Sequence, residues 1–366
     1  MSAAPTKAEI RAEAARLLAV FEAEGAQAIE TEILQPAGAL LDLYGEDIRA
    51  RAYTTQDPLE GEQMLRPDFT VPVVQQHMAN GADPARYAYA GEVFRRQEDG
   101  IGRAREYIQV GYEVFDRKNP AEADAEVFAL IAQQLAPLKL RAATGDIGIL
   151  AAAVRGLKTS ERRRAALLRH MWRPRRFRRL IERFAGRTPI PAHRLALLEA
   201  GDPFADAGPE IGLRSRAEVS ARIDALRADA QEPPISSGEM ALLDDILSLR
   251  EVAPNALSQL RDIAVDMPSI GPAVSRLSAR LDAMSARGID VEALEFEATF
   301  GRASMEYYDG FVFGFYCETR PDLPPLASGG RYDALTRVLG QGREIPAVGG
   351  VLRPGLMLTL ARGQEG

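Results

Sequence analysis

Residues 300–316 read FGRASMEYYDGFVFGFY, and residues 327–335 read ASGGRYDAL. The first stretch predicts a buried hairpin carrying a tyrosine pair, Tyr307 and Tyr308. The second predicts a Gly-Gly-Arg-Tyr turn that enters a helix near Tyr332. Working back toward the N-terminus, strand character begins at ALEFEATF (293–300). The last 70 or so residues therefore look like strands in search of partners.

The partners lie in the first part of the chain. Residues 7–25 repeat Ile10, Ala14, Leu17, Leu18 and Phe21 at helical spacing and stop at Gly25. AIETEILQPA (28–37) alternates like a strand, with shorter strand candidates at ARAYTT and QMLRP. A helix is expected from Thr70, where Pro72 is tolerable in a first turn. RYAYAGEVFRRQ and EYIQVGYEVF read as two strands joined by a Gly-punctuated loop, EDGIGRAR, of the kind that more often carries function than a tight turn. AEADAEVFALIAQQLAPL follows as an amphipathic helix.

From 147 to 293 the texture changes. Alanine, arginine and leucine dominate, strand patterns disappear, and breaks occur at PIPAH and EPPISSG. The expected organisation is one strand-rich unit made of 1–146 and 294–366, interrupted by a mainly helical insertion over 147–293. No repeat or low-complexity segment is evident.

Composition narrows the function classes. The chain has 366 residues, 46% hydrophobic and 27% charged, which is ordinary for a soluble globular protein. Cys317 is the single cysteine, which excludes an intrachain disulfide framework and a thiolate zinc site. Its apolar setting, FVFGFYC, predicts a small buried hydrophobe. His77, His170 and His193 form no metal-ligand pair at helical spacing, so neither a metal nor a cofactor is expected. The N-terminus has no signal-peptide core and no run approaches a membrane span, so the expectation is cytoplasmic. The net charge of −7 argues against a nucleic-acid binder taken as a whole, yet Arg155–Arg187 holds 13 Lys/Arg against Glu161 and Glu182. That stretch admits a solvated helix face, a surface for an acidic partner or phosphate-rich substrate, or an RNA surface. Trp172 and Phe177 are too few to argue base stacking.

The polar residues on the predicted strands make a coherent set. LRPDFT offers Asp68 and Thr70 at a helix start, and FRRQ offers Arg95. Gln109, Gly111 and Glu113 are spaced by two, so they share one sheet face. A glutamine and an acid on a face otherwise rich in apolar residues cost energy unless something pairs with them. A zwitterionic amino acid would do so, its ammonium held by carboxylates and its carboxylate by an arginine. A solvent-facing sheet with ordinary salt bridges is the alternative.

These segments, in this order, resemble the catalytic domain of histidyl-tRNA synthetase, a class II aminoacyl-tRNA synthetase. LRPDFT is similar to that family's LRPEGT, and VFRRQ with GRAREYIQVGYEVF to its second class motif. EYYDG resembles the tyrosine pair of its histidine-specific motif, and GGRYDALTRVLG with PAVGG the approach to its third motif. The resemblance spans roughly 7–145 and 295–352, and it is the combination of motifs that is specific. It implies an α+β fold, an antiparallel sheet flanked by helices. It also implies a histidine pocket of Asp68, Thr70, Arg95, Gln109, Glu113, Tyr308 and Tyr332, flanked by Tyr307. Asp68 and Thr70 would hold the ammonium, Arg95 would sit near the carboxylate, and Glu113, Tyr308 and Tyr332 would surround the imidazole.

The departures from the family pattern are as informative. Ala303 stands where its histidine-specific motif has an arginine that acts on phosphate, with Arg302 one strand step away and thus on the other face. Leu356 stands where the third motif's ATP-clamping arginine belongs, and Pro354 interrupts the helix expected there. Glu32 takes the place of the usual motif 1 proline, and no anticodon-binding domain is expected. Losing one fixed donor to the transition state costs on the order of 10²–10³ in rate. A branch of the family with this profile comprises the regulatory subunits of ATP phosphoribosyltransferase. By that resemblance the chain is a non-catalytic histidine sensor that partners the short-form catalytic subunit, as homodimers within a hetero-octamer, with tRNA not expected as a partner. The alternative is an amino-acid-activating or aminoacylating paralogue in which Arg302, Arg331 or Arg353 replaces the missing arginines.

Overall fold

The computed structural model describes residues 4–38, 52–97, 104–205, 207–302 and 307–364. Helix α1 (Lys7–Ala23) starts at a capping box, Thr6 with Glu9, and buries Ala14, Leu17 and Phe21. It leads to β1 (Gln27–Ala28). Strands β2 (Leu34–Pro36), β3 (Thr54–Asp57) and β4 (Gly61–Leu65) form a small three-stranded sheet in the order β2-β4-β3. Helix α2 (Thr70–Asn80) has Pro72 in its first turn, and β5 (Ala85–Phe94) and β6 (Glu106–Phe115) follow as the predicted antiparallel pair. Next come α3 (Pro120–Leu135) and β7 (Arg141–Asp146).

Between β7 and β9 (Glu295–Glu297) the chain is helical apart from the three-residue strand β8 (Arg250–Val252). The helices are α4 (Ile147–Gly156), α5 (Glu161–Arg169), α6 (Pro174–Phe184), α7 (Ala192–Glu199), α8 (Arg216–Gln231), α9 (Ser237–Ser248), α10 (Ala253–Asp266) and α11 (Gly271–Ala286). β8 pairs with β9 at the end of the main sheet, a contribution to the sheet that the absence of strand pattern over 147–293 did not anticipate. The chain closes with β10 (Phe311–Tyr316), β11 (Ala327–Arg331), α12 (Asp333–Leu339), β12 (Ala347–Leu352) and α13 (Pro354–Gln364).

The main sheet has nine strands in the order β1-β5-β6-β12-β11-β10-β7-β9-β8. All neighbours are antiparallel except β1 with β5 and β7 with β9. Strands from both ends of the chain thus lie side by side, as expected. One face of the sheet meets α3: Phe128 packs against Phe311, Phe313 and Phe315, and Tyr112 donates to Glu126 at 2.6 Å. Among the described residues no helix is long and apolar enough to cross a membrane.

Two expectations are corrected here. Tyr307 and Tyr308 are not strand residues: they lie in the loop entering β10, which pairs antiparallel with the following strand, β11, and with β7. The run FVFGFY is apolar throughout because β10 is central and packed on both faces. Pro354 does not interrupt a helix but begins one, α13. Its fixed φ and missing N–H suit the first helical position.

A chain of buried charges runs beneath the sheet. Arg280 of α11 donates to Asp124 of α3 at 2.9 Å and to Asp146 at the end of β7 at 2.6 Å. Asp124 also accepts from Arg331 of β11 at 2.7 Å, and Arg331 reaches Asp333 at 3.0 Å. Asp309, just after the tyrosine pair, accepts the backbone N–H groups of Asp333 and Ala334 at 3.0 and 2.6 Å. Burial, reinforced by neighbouring Asp333, pushes the Asp309 carboxyl up to about 7.

Candidate functional site

The face of the sheet opposite α3 carries Gln109, Gly111 and Glu113 of β6. Glu113 is 1% exposed and its carboxylate accepts three hydroxyl hydrogen bonds. Tyr332 donates at 2.5 Å to Oε2, and Tyr89 at 2.9 Å and Thr70 at 3.3 Å both donate to Oε1. Burial pushes Glu113 up to about 7, against the three hydroxyls that favour its charge, and nearby Asp68 adds to the rise. Burial and the same carboxylate hold Tyr332 and Tyr89 far above the usual phenol range.

Room for this carboxylate comes from the facing strands. Gly349 of β12 pairs with Glu113, and a Cβ there would lie 1.4 Å from Glu113 Oε2. The pattern recurs on three more strands. A Cβ at Gly111 would meet Tyr89 at 2.1 Å, one at Gly330 would meet Tyr308 at 2.8 Å, and one at Gly91 would meet Arg66 at 2.7 Å. Four adjacent strands therefore present a bare floor, across which Glu113, Tyr89, Tyr308 and Arg66 lie flat.

The walls come from loops and helix starts. Thr70 begins α2, and Phe69 before it stacks on Tyr89 at 4.2 Å and 13°. Asp68 is 5% exposed and close enough to raise both Glu113 and Tyr308. Tyr307 and Tyr308 make an edge contact at 4.8 Å, and Tyr307 also meets Tyr332 edge-on at 6.2 Å and donates to Thr70 at 3.5 Å. Arg95 donates to Pro67 O at 2.9 Å. Gln109 is 1% exposed, and neither its Oε1 nor its Nε2 has a hydrogen-bond partner. An amide buried without partners on a polar sheet face is suited to a ligand.

Of the residues expected from the sequence, Asp68, Thr70, Glu113, Tyr307, Tyr308 and Tyr332 converge on this floor. Gln109 shares their sheet face. Arg95 sits at the Pro67 corner. Tyr89 and Gly349 are participants that sequence reasoning missed. Tyr89 lies two residues from Tyr87 in YAYAG, so period two alone could have placed it on the pocket side.

The positions expected to have lost catalytic groups fare unequally. Ala303 lies outside the described residues. Leu356 is a half-buried apolar residue of α13. Arg302 is in a turn rather than a strand, so its placement is not set by strand alternation. Its Nε donates to Met171 O at 2.8 Å and its guanidinium lies 4.8 Å over Phe177, toward the helical segment. Arg331 is held in the buried charge chain. In the basic stretch, Arg163 pairs with Asp229, and Arg178 and Arg187 with Asp244. Arg169, Arg173 and Arg176 crowd His170 closely enough to depress its pKa further after burial. Cys317 is buried, with its Sγ 3.2 Å from Thr319 Oγ1. Among the described residues no group of three or more His, Cys, Asp or Glu is placed to hold a metal ion.

Comparison with known proteins gives a consistent result. The family model for histidyl-tRNA synthetase matches residues 3–206 and 213–354. ATP phosphoribosyltransferase regulatory subunits of Brucella canis and Brucella suis are each 31% identical over 349 residues, covering 90% of this chain and 92% of theirs. A Bacillus halodurans structure described as an ATP phosphoribosyltransferase regulatory subunit/histidyl-tRNA synthetase superposes with a TM-score of 0.67 at 22% identity, covering 98% of this chain and 81% of that one. Histidyl-tRNA synthetase from Nostoc sp. PCC 7120 superposes with a TM-score of 0.64 at 17% identity, covering 100% of this chain and 74% of its own. At those identities the structures bear on the fold, which is that of the class II synthetases.

Proposed function

The chain belongs to the histidyl-tRNA synthetase family, in the branch of the ATP phosphoribosyltransferase regulatory subunits, and from that premise we propose that it binds free histidine and relays its presence to a catalytic partner. The partner is a short-form ATP phosphoribosyltransferase chain, inactive alone, joined in a hetero-oligomer. The chain itself performs no adenylation. Within this reading residues 147–293 are an insertion into the pocket-bearing unit.

One observation carries the reading: a buried carboxylate, Glu113, ringed by three hydroxyls and flanked by the partnerless amide of Gln109. A site so built has hydrogen-bonding capacity to offer, which suits a small polar ligand with several donors. The imidazole N–H of histidine is a donor for the Glu113 end, and Asp68 with Thr70 suits the ammonium group. Feedback then requires that histidine bind one state of the assembly more tightly, a coupling typically worth about 1–3 kcal/mol.

The rival, an aminoacylating paralogue, needs a substitute for the lost arginines. Two candidates are engaged elsewhere, Arg302 with Met171 O and Phe177 and Arg331 with Asp124 and Asp333. The test is ATP–pyrophosphate exchange with histidine, beside calorimetric titration with histidine. The expected result is saturable histidine binding and no exchange, with histidine inhibiting the complex once the catalytic chain is added. Histidine-dependent exchange would overturn the assignment.

A further inference from the structure

Six arginines of the described chain are buried: Arg66, Arg163, Arg280, Arg302, Arg331 and Arg353. Arg163, Arg280 and Arg331 are paired with carboxylates. Arg66 and Arg302 lie over phenyl rings, at 4.1 Å from Phe69 and 4.8 Å from Phe177. Arg353 has neither. Its guanidinium donates to Pro325 O and, at 3.3 Å, to Ser328 Oγ, and it contacts the Tyr107 phenol, all of them uncharged.

Burial lowers the Arg353 pKa, and the cation Arg95 lowers it further. Burying a guanidinium without a counter-charge, beside a second one, is unfavourable unless an anion joins them. The position identifies the gap. Strands β6 and β12 pair Leu352 with Val110, so the next step of that register sets Arg353 beside Gln109. Both fall on the face that carries Glu113, and Gln109 is the amide without partners. The site thus holds both carboxylates, Asp68 and Glu113, and guanidiniums, Arg353 and Arg95.

We propose that Arg353 is the anion-binding residue of this pocket, holding with Arg95 and Gln109 a carboxylate or phosphate group. If the ligand is an amino acid, as the function proposed above has it, Arg353 takes its α-carboxylate in a two-pronged bond. If it is a nucleotide, Arg353 takes a phosphate.

Calorimetry on the intact chain with L-histidine, histamine (histidine without its carboxylate) and ATP distinguishes the sources, using wild type, Arg353→Gln and Arg353→Lys. For a carboxylate, wild type prefers histidine to histamine by about tenfold or more, the value of a lost charge-assisted hydrogen bond. That preference collapses in Arg353→Gln while histamine affinity holds, and shrinks in Arg353→Lys, which keeps the charge but not the fork. For a phosphate, ATP binds wild type and is lost in Arg353→Gln, with the histidine-to-histamine ratio unchanged. The proposal is overturned if variants that melt like wild type change neither the ratio nor ATP binding. Should Arg353→Gln fold poorly, Arg353→Lys decides the question by the same readouts. A wild type that binds no histidine removes the histidine reading, and the ATP arm then decides the anion site alone.

Discussion

Gly349→Ala isolates the pocket with one methyl group. Its Cβ would lie 1.4 Å from Glu113 Oε2 and 2.3 Å from Cδ, so the carboxylate must leave its seat. The oxygen displaced is the one that accepts from Tyr332 at 2.5 Å. A hydrogen bond to a charged group contributes about 1.5–3 kcal/mol. If the ligand contacts the same carboxylate, its affinity falls by a comparable amount, about 10- to 150-fold in Kd. Gly350→Ala is the control, because a Cβ there meets Ile131 and Phe313 on the opposite face, at 2.5 and 2.8 Å. It is expected to lower the melting temperature without changing histidine affinity per folded molecule. Calorimetric titration of both variants, normalised by circular dichroism, makes the comparison. Histidine affinity in Gly349→Ala within twofold of wild type would refute the placement of Glu113 in the binding site.

Glu113, raised to about 7 by burial, is about half protonated at neutral pH in the unliganded fold. A ligand that donates to its carboxylate selects the ionised form, so binding at pH 7 releases about half a proton and weakens as pH falls from 8 to 6. Titrations in two buffers of different ionisation heat read that release, and Glu113→Gln should abolish it. The same shift has the opposite sign for the unliganded fold, whose stability from this group is fully present below about pH 4.5 and is lost as pH rises through 7. Arg280→Met should cost about 3–5 kcal/mol in urea unfolding, because it leaves Asp146 buried and unpaired and Asp124 with one guanidinium. A loss under 1 kcal/mol would mean that the ladder is solvated rather than structural.

The elements with a clear period were legible in the sequence. β5, β6 and α2 follow their two- and 3.6-residue patterns, and the face shared by Gln109, Gly111 and Glu113 needed only strand alternation. What failed had non-local causes. The sequence reading puts the tyrosine pair on a hairpin, whereas it lies ahead of β10, whose second partner, β7, lies some 165 residues earlier and leaves no trace in FVFGFY itself. Arg302 was reasoned about as a strand residue, whereas Phe300 and Arg302 lie in turns closed by the carbonyls of Glu297 and Thr299. Nothing in PAVGG by itself marks Gly349. Its role emerges only when register sets it against Glu113, and the absent counter-charge of Arg353 is visible only once every neighbour is in place.

The charge ladder has a mechanical consequence. Arg280 belongs to α11, whereas Asp124, Asp146 and Arg331 belong to the sheet and its covering helix, and Arg331 immediately precedes Tyr332 of the pocket. Sliding α11 by an ångström or two would strip charge from charge in a dry interior, so the helix and the tyrosine wall translate together as one stiff member. A push delivered to α11 would therefore be felt, through Asp124, at Arg331, one residue from Tyr332.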